Sequence, residues 1–316
     1  MKILKRIGLV FLCIILFVTS GLISGAVYTI HKFHRSYDYL KVRDKSLYTV
    51  EYDLNSDGKE TTKYDLYLPS VIDEEKDYAL IFYVHGGGFS GGDKEDGKYI
   101  CPYYASHGYV AVSANYTLSV GDGVSNINTM FSELRNTMES VVKECADRGI
   151  KITQAATSGP SAGGCLAMLL AYRDPESSVV PVRFVFQQVG PASLDPDLWG
   201  MDTNDGKEYF VFMTTGKDFS NAEIGSEEYL NEIKIISPAA LVNKYTVPTL
   251  MAYGSRDAAV PVDIKYELIN AFEEYGVTYD YLEFPHSGHG LLDDPKCSEQ
   301  YYQMVDEYIE KYFRED

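Results

Sequence analysis

A serine flanked by small residues is the first candidate for chemistry in this sequence. Ser161 lies in the stretch SGPSAGG, where residues 159–163 fit the pattern Gly-x-Ser-x-Gly. A nucleophilic serine on a very tight strand-to-helix turn has a strained backbone, so its neighbours must lack bulk. The first amides of the following helix then favour developing negative charge. The pattern predicts a nucleophilic serine, although ordinary tight turns between strands and helices also collect small residues.

A run of glycines upstream supplies a second element of such chemistry. His85–Phe89 reads HGGGF and follows an apolar stretch typical of a strand. The N–H groups of Gly87 and Gly88, together with that of Ala162, would bind an oxyanion. The stretch GGGFSG also fits the dinucleotide pattern G-x-G-x-x-G, but no helix opens at its third glycine, so we expect no nucleotide there. We expect His85 to support the loop by hydrogen bonding.

Two histidines three residues apart compete for the role of general base. His286 and His289 lie in FPHSGHGL, and the chain has 6 histidines in all. A base must reach both the serine hydroxyl and an acid, at roughly 2.6–3.2 Å each. His286 directly follows Pro285 and a strand end, whereas His289 stands on a glycine-flanked loop that can carry its ring into a cleft. We therefore expect His289 to be the base and His286 to line the pocket or support the loop.

Asp257 is the predicted acid. It follows the stretch VPTLMAY, at the end of a strand where the sites of parallel sheets form. Asp263 falls in the first turn of the next helix, where a carboxylate suits the helix dipole without a catalytic role. Asp280 lies within a strand. The order Ser161, Asp257, His289 along the chain also occurs in one known fold of serine hydrolases.

Alternating strands and helices must position these residues. After a polar linker near 31–45, residues 47–69 are expected to form two strands joined by a polar turn. Further strands are predicted within 78–88, 109–116, 151–159, 182–190, 247–254 and 277–285, and helices near 94–107, 128–148, 161–174, 261–275 and 298–313. This alternation predicts an α/β fold with a mostly parallel central sheet and helices on both faces. Residues 192–237 break the rhythm and are interpreted as a small insertion over the site.

Together these motifs resemble the α/β-hydrolase fold of the hormone-sensitive-lipase-like carboxylesterase group, in the style of bacterial acetylesterases and feruloyl-esterase-like enzymes. The stretches HGGGFSGGDK, GPSAGG, VPTLMAYGSRDAAVP and GHGL carry the resemblance, which spans roughly residues 47–313. It implies Ser161 as nucleophile, Asp257 as acid and His289 as base, in an enzyme that needs no cofactor and no metal. Pro160 departs from the acidic residue that many lipase-like members carry there, which affects the subfamily rather than the nucleophile.

The charge balance excludes one class of partner. The 316 residues include 28 Lys and Arg against 46 Asp and Glu, a net charge of −18, which argues against binding to nucleic acid. Four cysteines beyond the N-terminal segment are too sparse for a disulfide scaffold, and no Cys/His cluster suggests a metal. We expect most of them to be buried thiols, with one disulfide left open: Cys101, Cys145, Cys165 and Cys297.

The first 36 residues are predicted to form a membrane anchor or signal segment ahead of a hydrolase domain over residues 37–316. Residues 7–30 carry no charge over 24 positions. As a helix they would be roughly 36 Å long, enough to cross a bilayer core of about 30 Å. Basic residues before the segment outnumber those after it, so the domain is expected outside the cell membrane. The alternative is a secreted protein, cleaved after Ala26.

The residues predict a serine nucleophile that works through an acyl-enzyme intermediate, and the resemblance implies a serine carboxylic ester hydrolase. The resemblance adds short-chain, acetyl- or feruloyl-type esters, including carbohydrate-linked ones, as substrates. A serine peptidase or amidase on the same fold is the first alternative, although the chain leaves no room for the large extra domain of many such peptidases. A non-catalytic binding protein is the second, although such proteins typically lose part of the triad and this chain retains all three residues.

Overall fold

One central sheet organises the protein. The structure is a computed structural model that describes residue 29 and residues 31–313. Its strands are β1 Tyr48–Asn55, β2 Lys63–Pro69, β3 Asp77–Val84, β4 Val110–Ala114, β5 Lys151–Pro160, β6 Val182–Gln188, β7 Thr249–Gly254 and β8 Tyr279–Phe284. They are arranged in the order β1-β2-β4-β3-β5-β6-β7-β8. β2 runs antiparallel to both of its neighbours, and all other neighbouring strands are parallel, which confirms the predicted mostly parallel sheet.

Helices cover both faces of the sheet, as predicted. Their bounds are α1 Cys101–Ser106, α2 Ile127–Asp147, α3 Ala162–Tyr172, α4 Asn204–Thr215, α5 Glu227–Ile236, α6 Pro238–Leu241, α7 Ile264–Tyr275 and α8 Pro295–Tyr312. Alternate residues of β3 point to opposite faces, so one strand feeds two cores. Ile81 and Tyr83 pack with side chains of α1, α7 and α8. Leu80 and Phe82 pack with side chains of α2 and α3 on the other face.

The first two strands form the predicted hairpin. The Asn55 side chain closes its turn, because its Oδ1 accepts from the N–H groups of Asp57 at 3.0 Å and Gly58 at 2.6 Å. Gly58 has φ +84°, a left-handed conformation that glycine adopts at little cost. The polar turn residues therefore fix this edge of the sheet.

The prediction of a polar linker near residues 31–45 is partly wrong. Residues 31–36 are helical. Phe33 and Tyr37 pack on Tyr99, with ring centroids 5.1 and 5.3 Å apart respectively, and Leu40 is buried in the core. The polar side chains of the segment hid these apolar contacts, which lie far apart in sequence.

Most of the predicted anchor, residues 7–30, lies outside the described part of the chain. Within residues 31–313, no helix combines the length and the apolar character needed to cross a bilayer. In the same part of the chain the four cysteines are free thiols, three of them buried: Cys101, Cys145 and Cys165. Burial raises the pKa of Cys145 to about 12.

The predicted insertion at 192–237 connects β6 to β7 and is largely helical. It contains a 3-10 helix, Pro196–Trp199, together with α4 and α5. α4 begins at an N-cap, Thr203, whose side chain accepts from the N–H of Gly206 at 3.1 Å, and it ends at Gly216, which has φ +77°. The caps are regular, but the stretch NDGKEYFVFMTT has too weak an apolar periodicity to predict a helix.

Candidate active site

Ser161 occupies a strained turn between β5 and α3. Its φ of +54° and ψ of −126° are conformations that non-glycine residues rarely adopt. The Ser161 N–H donates to the carbonyl of Gln188 at 2.8 Å and ties the turn to β6. A Cβ at either Gly159 or Gly163 would collide with the carbonyl oxygen of Val84. The small residues around the serine are therefore required by close packing, as the sequence pattern predicted.

The structure brings the three predicted triad residues together. The Nε2 atom of His289 lies 2.8 Å from Ser161 Oγ, and its Nδ1 lies 2.8 Å from Asp257 Oδ2. The Asp257 side chain is 2% exposed and that of His289 is 28% exposed. The histidine thus reaches both partners at hydrogen-bonding distance from a partly open position.

Two backbone amides fix the other oxygen of Asp257. Its Oδ1 accepts from the N–H groups of Ala259 at 2.8 Å and Val260 at 3.0 Å. Burial alone would raise the pKa of Asp257, but the hydrogen bonds from His289 and these amides outweigh burial and hold the pKa below its ordinary value. The acid therefore stays ionised and aligned.

The loops after β7 and β8 are joined by backbone hydrogen bonds. The N–H of Ser255 donates to the carbonyl of Phe284 at 3.1 Å, and that of Arg256 donates to Ser287 at 3.0 Å. A Cβ on Gly254 would lie 2.5 Å from the carbonyl oxygen of Ser287, so the two loops touch. This contact sets the spacing between the loop that carries the acid and the loop that carries the histidine.

His286 does not reach the serine. Its Nδ1 lies 2.7 Å from Asp294 Oδ1, and its side chain is 66% exposed. The other oxygen of Asp294 accepts from the His286 N–H at 2.9 Å and from Ser287 Oγ at 2.7 Å. His286 lines a separate surface groove, so its predicted loop-supporting position agrees with these contacts and a pocket-lining position beside the serine does not.

The glycine loop after β3 lies against the serine turn. Gly87 has φ +115° and Gly88 has φ +60°. The Gly87 carbonyl accepts from the N–H of Gly91 at 2.9 Å, which curls the loop back on itself. Gly87, Gly88 and Ala162 all line the cavity that contains Ser161. As the first residue of α3, Ala162 carries an amide that has no acceptor within its helix.

His85 supports this loop from beneath. It is 1% exposed, and its Nδ1 donates to the carbonyl of Gly86 at 2.7 Å. Its ring stacks on Tyr116, with centroids 4.4 Å apart and planes inclined by 10°. Burial lowers the pKa of His85 and favours its neutral form. These contacts agree with the supporting position predicted from the sequence.

A buried lysine anchors the end of the same loop. Lys94 is 6% exposed, and its Nζ lies 2.8 Å from the buried carboxylate of Asp65 and 3.0 Å from the exposed carboxylate of Asp53. Its N–H donates to Asn115 Oδ1 at 2.6 Å. The lysine of the stretch SGGDK thus pins the segment after the glycines to β2, a contact that sequence reasoning did not find.

A cavity of about 800 Å³ opens over Ser161. One part of its lining comes from the insertion and another from the N-terminal segment: Leu194, Trp199, Met201, Tyr209, Phe210 and Met213, then Phe33 and Tyr37. The insertion was expected over the site, but the two N-terminal residues were missed. Their spacing of four is one helical turn, which was the available signal. Among the described residues, no three His, Cys, Asp or Glu side chains are grouped as metal ligands.

Comparison with known proteins places the chain in a family. The family model of BD-FAE matches residues 64–272. Acylamino-acid-releasing enzyme from Arabidopsis thaliana is 26% identical over 74% of this chain, and probable dipeptidyl-peptidase 5 from Aspergillus terreus is 23% identical over 75% of it. The chain spans 30% and 32% of the lengths of these two relatives.

Solved structures share the fold. Esterase B from Lactobacillus rhamnosis superposes with a TM-score of 0.65 at 18% identity, over 92% of this chain and 95% of that one. A truncated carbohydrate esterase from gut microbiota gives a TM-score of 0.63 at 19% identity, over 86% and 99% of the two chains. Since the family model matches residues 64–272, this chain belongs to the BD-FAE family, and its fold is that of an α/β-hydrolase.

Proposed function

We propose that the protein is a serine carboxylic ester hydrolase in which Ser161, His289 and Asp257 form the catalytic triad. One observation carries the proposal: a single imidazole lies 2.8 Å from the serine hydroxyl and 2.8 Å from a buried carboxylate. The three side chains come from three separate loops at the carboxyl edge of the sheet. That edge is where sites in open α/β sheets form.

In the first half of the reaction, His289 removes the proton from Ser161 Oγ as the oxygen attacks the acyl carbon. Asp257 holds the ring in the tautomer that has its proton on Nδ1 and stabilises the imidazolium. The imidazolium then gives its proton to the leaving alcohol, which departs and leaves an acyl-serine. Water attacks the acyl-serine with the same histidine as base, and the acid is released.

The tetrahedral intermediates carry a negative oxygen that needs hydrogen-bond donors. We assign this role to the N–H groups of Gly87, Gly88 and Ala162, which line the cavity beside the serine. The N-terminal end of α3 adds its partial positive charge. Loss of one such donor typically slows turnover by a factor on the order of 10²–10³.

For substrates, we propose short-chain or acetyl- and feruloyl-type esters, including esters on carbohydrates. The BD-FAE match supports an ester, and the fold shared with a carbohydrate esterase from gut microbiota is compatible with one on a sugar. A screen of nitrophenyl esters of increasing chain length, a feruloyl ester and acetylated xylan tests this proposal. Turnover of the short esters is the expected result, and no turnover of any ester by folded protein would contradict it.

Amide hydrolysis is a second candidate, because two curated relatives are an acylamino-acid-releasing enzyme and a dipeptidyl-peptidase. A matched pair of substrates separates the two activities: an N-acetylamino-acid anilide and the corresponding nitrophenyl ester. We expect the rate enhancement over spontaneous hydrolysis to be larger for the ester than for the anilide. A larger rate enhancement for the anilide would favour a peptidase or amidase.

We propose further that residues 7–30 anchor the enzyme in the cell membrane, with the catalytic domain outside. The support is the uncharged length of the segment. The mature protein should then begin near Met1 and partition with membranes. N-terminal sequencing that started just after Ala26 would instead make the enzyme a secreted one.

A further inference from the structure

One wall of the cavity over Ser161 is aromatic and is built in part by the N-terminal segment. Phe33 packs edge-on against Tyr99 at 5.1 Å, and Tyr37 stacks on Tyr99 at 5.3 Å with planes inclined by 27°. All three rings line the cavity. Tyr37 and Tyr99 pack against the core on one face of the sheet, whereas Phe89 and Phe210, which line the opposite part, pack against the core on the other face. The cavity therefore has two distinct walls.

A single carboxylate accompanies the aromatic wall. Asp96 lines the cavity, and the described residues that line it include no other carboxylate, no lysine and no arginine. Within the described part of the chain, the Asp96 carboxylate forms no hydrogen bond and no ion pair. Asp96 is exposed to solvent, and partial desolvation raises the pKa of its carboxyl group, a shift that the charge of Lys98 opposes.

Two basic groups, His85 and Lys98, lie near Asp96, and neither lines the cavity. His85 is buried, and burial lowers its pKa, so it remains neutral. Lys98 lines a different surface groove, where its Nζ lies 3.9 Å from Glu95 Oε2 and 5.3 Å from the centroid of the Tyr99 ring. Among the described residues that line the cavity, Asp96 is thus the one carboxylate, and it accompanies three aromatic rings.

We infer that Asp96, with Phe33, Tyr37 and Tyr99, forms a subsite that binds a cationic group of the substrate. Aromatic faces attract ammonium groups through their quadrupole, and a carboxylate supplies the counter-charge. A neutral hydroxylated group could donate a hydrogen bond to the Asp96 carboxylate but would bring no counter-charge. The inference rests on the proposed ester hydrolysis, because the cation is carried by the ester that Ser161 attacks.

Two matched substrate pairs test the subsite on either side of the scissile bond. On the alcohol side, acetylthiocholine is compared with S-(3,3-dimethylbutyl) thioacetate, in which carbon replaces the quaternary nitrogen. On the acyl side, the nitrophenyl ester of 4-(trimethylammonio)butanoate is compared with that of 5,5-dimethylhexanoate. In each pair shape is conserved and charge is not. For at least one pair, kcat/KM should favour the cationic member by about tenfold.

Matched variants assign that preference to the wall. Asp96→Asn should remove most of the preference by raising KM for the cationic substrates, because the neutral members of the pairs do not use the charge. Glu95→Gln makes the same charge change on the adjacent exposed residue, which does not line the cavity, and should keep the preference. Phe33→Ala should reduce the preference by a few-fold, whereas Tyr245→Ala, at a 77% exposed tyrosine elsewhere, should not.

The outcomes separate this inference from the proposed function. Hydrolysis of the neutral esters with no cationic preference in either pair would overturn the subsite and leave the ester hydrolase intact. A preference that Asp96→Asn and Glu95→Gln reduce equally would assign it to the net charge of the protein and also overturn the subsite. No hydrolysis of any of the four esters by folded wild-type protein would contradict the proposed function itself.

Discussion

Two sets of Ser, His and Asp side chains lie on neighbouring loops, and they differ in whether the serine hydroxyl contacts the histidine. In the first, His289 lies between Ser161 Oγ and Asp257, at 2.8 Å from each. In the second, Nδ1 of His286 lies 2.7 Å from Asp294, but Ser287 Oγ donates to the same carboxylate at 2.7 Å rather than to the histidine.

The comparison separates two uses of a carboxylate-bound histidine. Ser287 is fully buried and His286 is largely exposed, so the second set has neither an accessible nucleophile nor a base beside one. Its contacts instead hold the loop that carries His289. An acid next to a histidine therefore does not identify a catalytic base; the group at the other ring nitrogen does.

The largest expected effect is the loss of the nucleophile. Ser161→Ala should reduce kcat for a short-chain nitrophenyl ester by a factor on the order of 10⁶, as removal of a triad serine does elsewhere. The matched change in the second set, Ser287→Ala, should leave kcat within about tenfold, because among the described residues the Ser287 hydroxyl forms hydrogen bonds only with Asp294 and the N–H of Asp293. Circular dichroism of both variants checks that they are folded. A Ser161→Ala variant with a tenth of wild-type activity would contradict the assignment.

The two histidine variants should differ in the same direction as the two serine variants, with the larger loss of turnover in the first set. His289→Ala should abolish measurable turnover, because nothing else in the described site lies beside Ser161 Oγ to take its proton. His286→Ala should retain at least several per cent of turnover, since it weakens only the support of the loop. Both are measured at neutral pH on the same ester, and the reverse ranking would exchange the two assignments.

The two acids should differ by a smaller factor. Asp257→Asn should lower kcat by a factor on the order of 10⁴, because the amide favours the wrong imidazole tautomer. Asp294→Asn should change kcat only several-fold. Steady-state kinetics on folded protein gives both values, and a larger loss in Asp294→Asn would show that the second set contributes to the chemistry.

The smallest effect is on stability. Asp294 accepts hydrogen bonds from the His286 N–H and Ser287 Oγ, and Asp294→Asn should reduce the free energy of unfolding by about 1–3 kcal/mol at pH 7. Burial alone would raise the pKa of Asp294, but the hydrogen bonds outweigh it and lower the pKa. The stabilisation is therefore present above the ordinary carboxyl pKa and is lost as the pH falls through the lower, folded-state pKa. Urea unfolding should show a larger difference at pH 7 than at pH 3, and an equal difference would rule out the ionised carboxylate as the cause.

The sequence was most informative where chemistry imposes a local steric demand. Ser161 needs small neighbours on a strained turn, and Gly87 must adopt a positive φ, so both left readable motifs. His289 could be chosen over His286 because glycines flank it. These features depend on a few consecutive residues, and their positions followed from the alternation of strands and helices.

The cavity walls could not be predicted in the same way. Phe33 reaches the site from a stretch whose composition indicates a linker, and Asp96 belongs to a run of charged residues that resembles any solvated surface. α4 supplies Phe210 and Met213, yet its sequence has no clear apolar periodicity. In each case the contact partner lies far along the chain, so only the folded packing reveals it.

Active-site labelling followed by peptide mapping tests the central assignment most directly. A fluorophosphonate reacts with a serine that a histidine activates, and the adduct mass locates the residue. We predict one adduct, on the peptide that contains Ser161, and no adduct in Ser161→Ala. We also predict that labelling of His289→Ala is slowed by orders of magnitude, while His286→Ala keeps at least several per cent of the wild-type labelling rate. An adduct on Ser287, or no labelling of folded wild-type protein, would contradict the account.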